Sequence, residues 1–242
     1  LSIEQIKSHH GRLVKPGNQV LSIFGDIDIE QVKKELLNLW EDCSESSRIE
    51  LPRSPSETRV ETLALSETCD KKQSVVVFGF PGTTFFDKER HALDLLQETC
   101  SDLGSRLFMR IRDELGLAYY VGAQHMPGLV RGYFGFYAGT SPEHVEQVKE
   151  EFKIQINKIK SEGITQQELD RSKAKMLGQK QIARQDLGHL AMASALDELY
   201  GLGFQHPLEE DAAIHAVSLE DVQKAAEKIF DLENSTVAVV GP

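Results

Sequence analysis

The sequence predicts an α+β fold, an antiparallel sheet with helices packed on one face. Strand-like and helix-like segments occur in clusters along the chain instead of alternating, which favours this class over a parallel α/β arrangement. The 242 residues are 40% apolar and 27% charged, ordinary values that exclude disordered and collagen-like classes. No apolar run approaches the ~20 residues that a membrane helix needs.

The two ends of the chain resemble each other. Residues 2–26 align without a gap to residues 218–242, and each copy reads as an amphipathic helix, a turn and a short apolar strand ending in glycine. Ser2 and Ser218 are the predicted N-caps. Two unrelated helix–strand units would give the same pattern. The alternative is that each copy ends a domain, so that residues 1–41 are the helix–strand–helix tail of a preceding homologous domain.

The remaining elements follow from local patterns in chain order. In the first half of the chain we predict a helix over 29–40, a Pro-broken linker over 42–58, strands over 59–66 and 73–80, and helices over 87–101 and 105–115. A hairpin follows, with strands over 119–125 and 130–138. The rest is predicted to be mostly helical, with helices from 141, from 165 to about 184 and over 191–199, and then a terminal helix and strand. Gly116 and Gly163 are predicted helix stops, and Thr165 with Glu168 forms a predicted capping box. Residues 59–242 are therefore predicted to form one domain.

Charge and motif content exclude several functions. The formal charge of −11 repels phosphate backbones, so we expect no nucleic-acid partner. No two of the eight histidines are four residues apart, so neither H-E-x-x-H nor H-x-x-E-H occurs, and no metal ligand is predicted in this chain. Three widely spaced cysteines predict free thiols. No signal peptide or transmembrane segment is visible. We expect a soluble protein, cytoplasmic or periplasmic, and the sequence leaves the compartment unknown.

One segment, residues 105–121, carries candidate chemistry. It reads as a helix, a glycine stop and a strand opened by two tyrosines. This order places a guanidinium near the end of the helix and a phenol at the start of the next strand, so that the two can converge on one small region. Both are donors suited to hold a peptide carbonyl or a developing oxyanion. The alternative is structural, with an arginine capping the C-terminal carbonyls of its own helix beside a packed tyrosine.

The same segment, S-R-L-F-x-x-I-R-x-x-x-G-L-A-Y-x-V, resembles the C-terminal domain of the pitrilysin family. These are inverted-motif zinc metallopeptidases that include insulin-degrading enzyme and the mitochondrial processing peptidase. The resemblance covers nearly the whole chain. It continues in Tyr137-Ala138-Gly139-Thr140-Ser141-Pro142-Glu143, in Glu162-Gly163-Ile164-Thr165-x-x-Glu168-Leu169, in Val217-Ser218-x-Glu220-Asp221-Val222 and in the closing Val237-Ala238-Val239-Val240-Gly241-Pro242.

The resemblance implies a half-clam of two homologous α+β domains that closes with a second half over a peptide substrate. It implies that Arg112 holds a substrate carbonyl and that Tyr119 stabilises the tetrahedral oxyanion. Because this chain lacks H-x-x-E-H, it is expected to hold no zinc and to be inactive alone. Zinc is expected in the complete enzyme, in a zinc-bearing N-terminal domain or a partner subunit.

Two other functions stay open. A catalytically silent structural relative, like the core subunits of respiratory complex III, would share the fold without cleaving peptides. The presence of both Arg112 and Tyr119 favours the peptidase, because a scaffold has no need of them. An unrelated peptide-binding α+β module would require the family resemblance to be coincidental.

Overall fold

The computed structural model describes residues 1–39 and 62–242. These residues divide into two units. The first, called here the sheet unit, contains residues 62–178 and Ala212–Pro242; the second contains residues 1–39 and Gln179–Asp211. The predicted linker over 42–58 and the first three residues of the strand predicted at 59–66 lie outside the described residues, as do Trp40 and Cys43.

The sheet unit is built on a sheet whose strands are ordered β1-β5-β2-β4-β3. The strands are β1 Leu63–Thr68, β2 Ser74–Pro81, β3 Ala118–Met126, β4 Tyr133–Thr140 and β5 Thr236–Gly241. Antiparallel pairing joins β2 to both β4 and β5, and β3 to β4. The edge pair β1–β5 is parallel, so the sheet is mixed and not wholly antiparallel. A parallel pair needs a long crossover, and here most of the unit separates the two strands.

Helices pack on one face of this sheet. Alternate residues of β2, Val76, Phe78 and Phe80, are buried, as the period-two geometry of a strand requires. Helix α4 Val145–Glu162 contacts β2 and β4, helix α3 Arg90–Ser101 contacts β3, and both pack against α8 Leu219–Ile229. Phenylalanines of β2 and β4 meet Phe152 of α4 and Phe230 after α8, with ring centroids 5.1–6.3 Å apart. The predicted α+β class, with its core on one sheet face, is confirmed.

The other helices broadly follow the predicted pattern. They are α1 Ile3–Leu13, α2 Ile29–Leu39, α5 Gln166–Ala183, α6 Leu187–Tyr200 and α7 His206–Ala216. Helix α7 was not predicted, because its few apolar residues form no continuous stripe at helical spacing. In the parts of the chain that the structure describes, no helix has the length and apolarity needed to cross a bilayer.

The two ends of the chain share local structure. Helices α1 and α8 both have 11 residues, and both begin at the predicted N-caps, Ser2 and Ser218, each of which forms a capping box. Their C-cap residues, Val14 and Phe230, have nearly the same backbone angles, φ −85° and ψ 80° against φ −84° and ψ 80°. A 3₁₀ turn of three residues follows each helix.

The copies differ after this turn. Residues 236–241 form β5, which lies between β1 and β2. Residues 20–25 pair with no described strand, so the strand predicted in this segment is not formed here. A strand needs hydrogen-bonding neighbours, and β5 has two of them.

Candidate functional site

The candidate site begins with a short helical segment between α3 and β3. The Ser105 side chain accepts a hydrogen bond from the backbone N–H of Phe108, at 3.1 Å, and so caps the segment. Leu107 and Ile111 are fully buried and attach one face of it to the core. From Phe108 to Glu114 the predicted helix is π-helical, and the N–H of Leu115 bonds the carbonyl of Arg110, five residues earlier. Single π turns are frequent at functional sites.

A glycine and a β-bulge then set the orientation of the Tyr119 side chain. Gly116 has φ +62°, a left-handed conformation that ends the helix as predicted. Strand β3 starts at Ala118, which lies opposite Thr140, yet Tyr120 lies opposite Gly139. Tyr119 is therefore the extra residue of a β-bulge, a feature that re-aims a side chain. Its side chain is 70% exposed.

Arg112 and Tyr119 meet as the sequence predicts. The guanidinium carbon of Arg112 lies 5.4 Å from the ring centroid of Tyr119 and 4.7 Å from that of Phe108. Both distances are within the range of cation–π attraction. In residues 1–39 and 62–242, neither the guanidinium nor the Tyr119 hydroxyl has a hydrogen-bond or ion-pair partner. The pair therefore presents N–H and O–H donors that this part of the chain does not use.

The capping alternative for Arg112 is not what the structure shows. Backbone N–H groups of Leu115 and Gly116 satisfy the carbonyls of Arg110 and Arg112 at the end of the helix, each at 3.1 Å. The Arg112 side chain bonds no carbonyl of the described chain.

Tyr120, the neighbour of Tyr119, is a packing residue instead. Its ring lies on Gly139 of β4, where an added Cβ would come within 2.2 Å of the ring. The ring of Tyr137 lies 6.2 Å away, measured between centroids. Of the two tyrosines that open β3, Tyr119 is thus the one with a free hydroxyl beside a guanidinium.

The described residues contain no zinc site. No group of three or more His, Cys, Asp or Glu side chains in them is arranged to hold a metal ion. Cys69 and Cys100 are free thiols. Burial raises the pKa of the Cys100 thiol to about 12, which leaves it protonated and unreactive. The ligand chemistry for zinc is therefore missing from this part of the protein.

A buried histidine forms a hydrogen-bond chain that sequence spacing did not predict. Nδ1 of His125 lies 2.7 Å from Oδ1 of Asp94, and Nε2 lies 2.9 Å from the Thr83 hydroxyl. Burial opposes ionisation of Asp94, but the hydrogen bond from His125 and the nearby His91 ring, whose Nδ1 lies 3.7 Å from Oδ2 of Asp94, outweigh it and hold the pKa of the carboxyl below its ordinary value. This chain joins α3, β3 and the loop after β2 at the end of β3 away from Tyr119. Its residues come from three separate segments, so no sequence motif marks it.

Comparison with known proteins places the chain among peptidase relatives. A family model described as the peptidase M16 inactive domain matches residues 1–176. A Rickettsia bellii protein named an uncharacterized zinc protease is 27% identical over 96% of this chain and 55% of its own length. A Helicobacter pylori protein named a non-peptidase homolog is 24% identical over 99% of this chain and 56% of its own length. The chain thus spans about half the length of these relatives.

The fold itself also recurs in solved structures. The crystal structure of a protease from Helicobacter pylori matches with a TM-score of 0.87 and 21% identity. The match covers 100% of this chain and 60% of that one. At this identity the likeness shows a shared fold.

Proposed function

We propose that this chain, which belongs to the peptidase M16 inactive-domain family, is the substrate-clamping C-terminal part of a zinc-dependent peptidase. The family membership confirms the pitrilysin resemblance read from the sequence. The clamping role is our own inference, and it rests on one observation: an unpaired guanidinium and an unpaired phenol side by side at one end of β3.

In this proposal Arg112 and Tyr119 have separate roles. The Arg112 guanidinium donates to a peptide carbonyl in the bound substrate, a contact that exists before and during the reaction. The Tyr119 hydroxyl donates to the oxygen that gains negative charge when the carbonyl carbon becomes tetrahedral. A donor aimed at an oxyanion contributes about 3–4 kcal/mol of transition-state stabilisation. Arg112 therefore contributes mainly to substrate binding, and Tyr119 mainly to the rate.

The metal and the rest of the active site belong to another part of the enzyme. The described residues do not fit a zinc site, so we assign zinc to a preceding zinc-bearing domain or to a partner subunit. We also propose that residues 1–41 are the tail of such a preceding domain. The matching capping boxes, C-caps and turns of α1 and α8 support this assignment.

A silent structural relative is the second candidate function. The name of the Helicobacter pylori relative, a non-peptidase homolog, favours it. In that case Arg112 and Tyr119 would have no catalytic consequence.

Kinetics of the complete protein test the proposal. Fluorogenic peptide cleavage is compared for wild type, Tyr119→Phe, Arg112→Ala and the control Tyr120→Phe, which removes the hydroxyl of the packing tyrosine. We expect Tyr119→Phe to lower kcat about 10²–10³-fold with KM and melting temperature unchanged. Arg112→Ala should mainly raise KM, and Tyr120→Phe should do neither.

Two results would reject it. Near-wild-type kcat for Tyr119→Phe in an active enzyme rejects the catalytic role. No cleavage of any peptide by the zinc-loaded wild-type protein selects the silent relative.

A further inference from the structure

Two sequence motifs that the proposed function leaves unused meet in the fold. Arg106 belongs to S-R-L-F, and Glu168 belongs to E-G-I-T-x-x-E-L, at the start of α5. The Arg106 Nε lies 3.0 Å from one carboxylate oxygen of Glu168, and Nη2 lies 2.6 Å from the other. Nη1 of the same guanidinium donates to the carbonyl of Gly163 at 3.1 Å. Arg106, at the start of the helical segment between α3 and β3, is thereby fixed to the turn between α4 and α5.

Glu168 is itself held from a second side. Its carboxylate accepts the backbone N–H of Thr165 at 2.7 Å, and the Thr165 hydroxyl accepts the N–H of Glu168 at 3.2 Å, which completes the predicted capping box. Burial opposes its ionisation, but the bonds from Arg106 and Thr165 keep the pKa of Glu168 below its ordinary value. A charged, doubly held carboxylate is a rigid anchor for the arginine.

The Arg106–Glu168 pair fixes the orientation of the helical segment, which the core contacts do not. Leu107 and Ile111 bury one face of the segment, and such apolar contact is non-directional. A two-pronged arginine–carboxylate pair has fixed geometry. Arg110 adds a bond from its Nε to Glu151 of α4, at 3.2 Å. Two of the three arginines on this segment thus fix its orientation, while Arg112 stays unpaired.

We propose that Arg106 and Glu168 are positioning residues, which hold the π-helical segment so that Arg112 lies over Tyr119. The geometric half of this proposal stands on the contacts of this chain alone. The kinetic half rests on the proposed function, and the experiment separates the two.

The test compares two variants that each neutralise a two-pronged arginine–carboxylate pair. Glu168→Gln removes the ion pair but keeps a side chain that supports a capping box. The control, Asp211→Asn, acts on the pair between Arg184 and Asp211, with distances of 2.6 and 2.8 Å. The two pairs have similar exposure, 21% and 16% against 22% and 26%, and the control pair lies in the other unit. Arg106→Lys, which keeps the charge and loses the fork, is a second test variant.

The first readout is the NMR signal of the Arg112 Nε–H group in arginine-labelled protein, identified with Arg112→Lys. Aromatic faces shift a proton above them upfield. We expect this shift to be reduced in Glu168→Gln, reduced less in Arg106→Lys, and unchanged in Asp211→Asn. The second readout is peptide cleavage by the complete protein, where we expect Glu168→Gln to lower kcat/KM about 10–100-fold. Asp211→Asn should lower the melting temperature similarly and leave kcat/KM unchanged.

Each outcome decides one half of the proposal. An Arg112 signal unchanged by both Glu168→Gln and Arg106→Lys overturns the positioning of the segment. A changed signal with unchanged kcat/KM in an active enzyme shows that the pair is structural only and overturns its role in catalysis. Absence of cleavage by wild type rejects the proposed function, and the NMR result still decides the geometry.

Discussion

At the scale of single residues, Arg112 is distinguished from its neighbours by what it does not bond. Arg106 and Arg110 hold carboxylates of α5 and α4, while Arg112 lies between the rings of Phe108 and Tyr119. Cation–π contacts at an exposed site contribute only about 0.5–1 kcal/mol each. Such contacts orient the guanidinium without occupying its N–H donors, which stay available to a ligand.

The His125 chain gives a residue-scale prediction about acid stability. The folded-state pKa of Asp94 is below its ordinary value, so the carboxylate stabilises the fold above about pH 4, the unfolded pKa, and this contribution is lost as pH falls through the folded pKa. We expect Asp94→Asn to lower the free energy of unfolding by about 1–3 kcal/mol at pH 7. The difference from wild type should shrink below about pH 4. Urea unfolding across pH measures it, and a difference independent of pH would contradict this account.

At the scale of elements, features that depend on residues close together in the chain were predictable from the sequence. Features that depend on tertiary contacts were not. The N-caps Ser2 and Ser218 and the capping box at Thr165 form as predicted, because each depends on residues three positions apart. The contact between Arg112 and Tyr119 was predictable because a helix, a glycine stop and a strand constrain seven residues. The π geometry and the bulge at Tyr119 depend on how β3 pairs with β4, which no local pattern encodes. The parallel pairing of β1 with β5 joins strands from opposite ends of the sheet unit, so it likewise cannot be predicted from a local pattern.

The leading elements give a second prediction. No described side chain of residues 1–39 is buried, and the apolar core lies between Val76 and Phe230. If residues 1–41 are the tail of a preceding domain, deleting them leaves that core complete. We expect the shortened chain to keep one cooperative thermal transition, lowered by no more than about 4 °C. Loss of the cooperative transition in calorimetry would show that these residues complete the fold of this chain.

At the scale of the whole molecule, our proposal makes this chain one part of a larger catalytic arrangement. It spans about half the length of its relatives, and its described residues lack a metal site. Its contribution in our proposal is a rigid sheet whose β3 edge presents two donors. The chemistry of water activation would then lie across the substrate, in another domain or subunit.

The most direct test of this central claim is a crystal structure of the complete protein with an uncleaved peptide, obtained after zinc is removed with a chelator. We predict that a backbone carbonyl of the peptide lies about 3 Å from the Arg112 guanidinium. The Tyr119 hydroxyl should point at the carbonyl of the scissile bond. A peptide bound in the protein with neither residue within hydrogen-bond reach of its backbone would contradict the account.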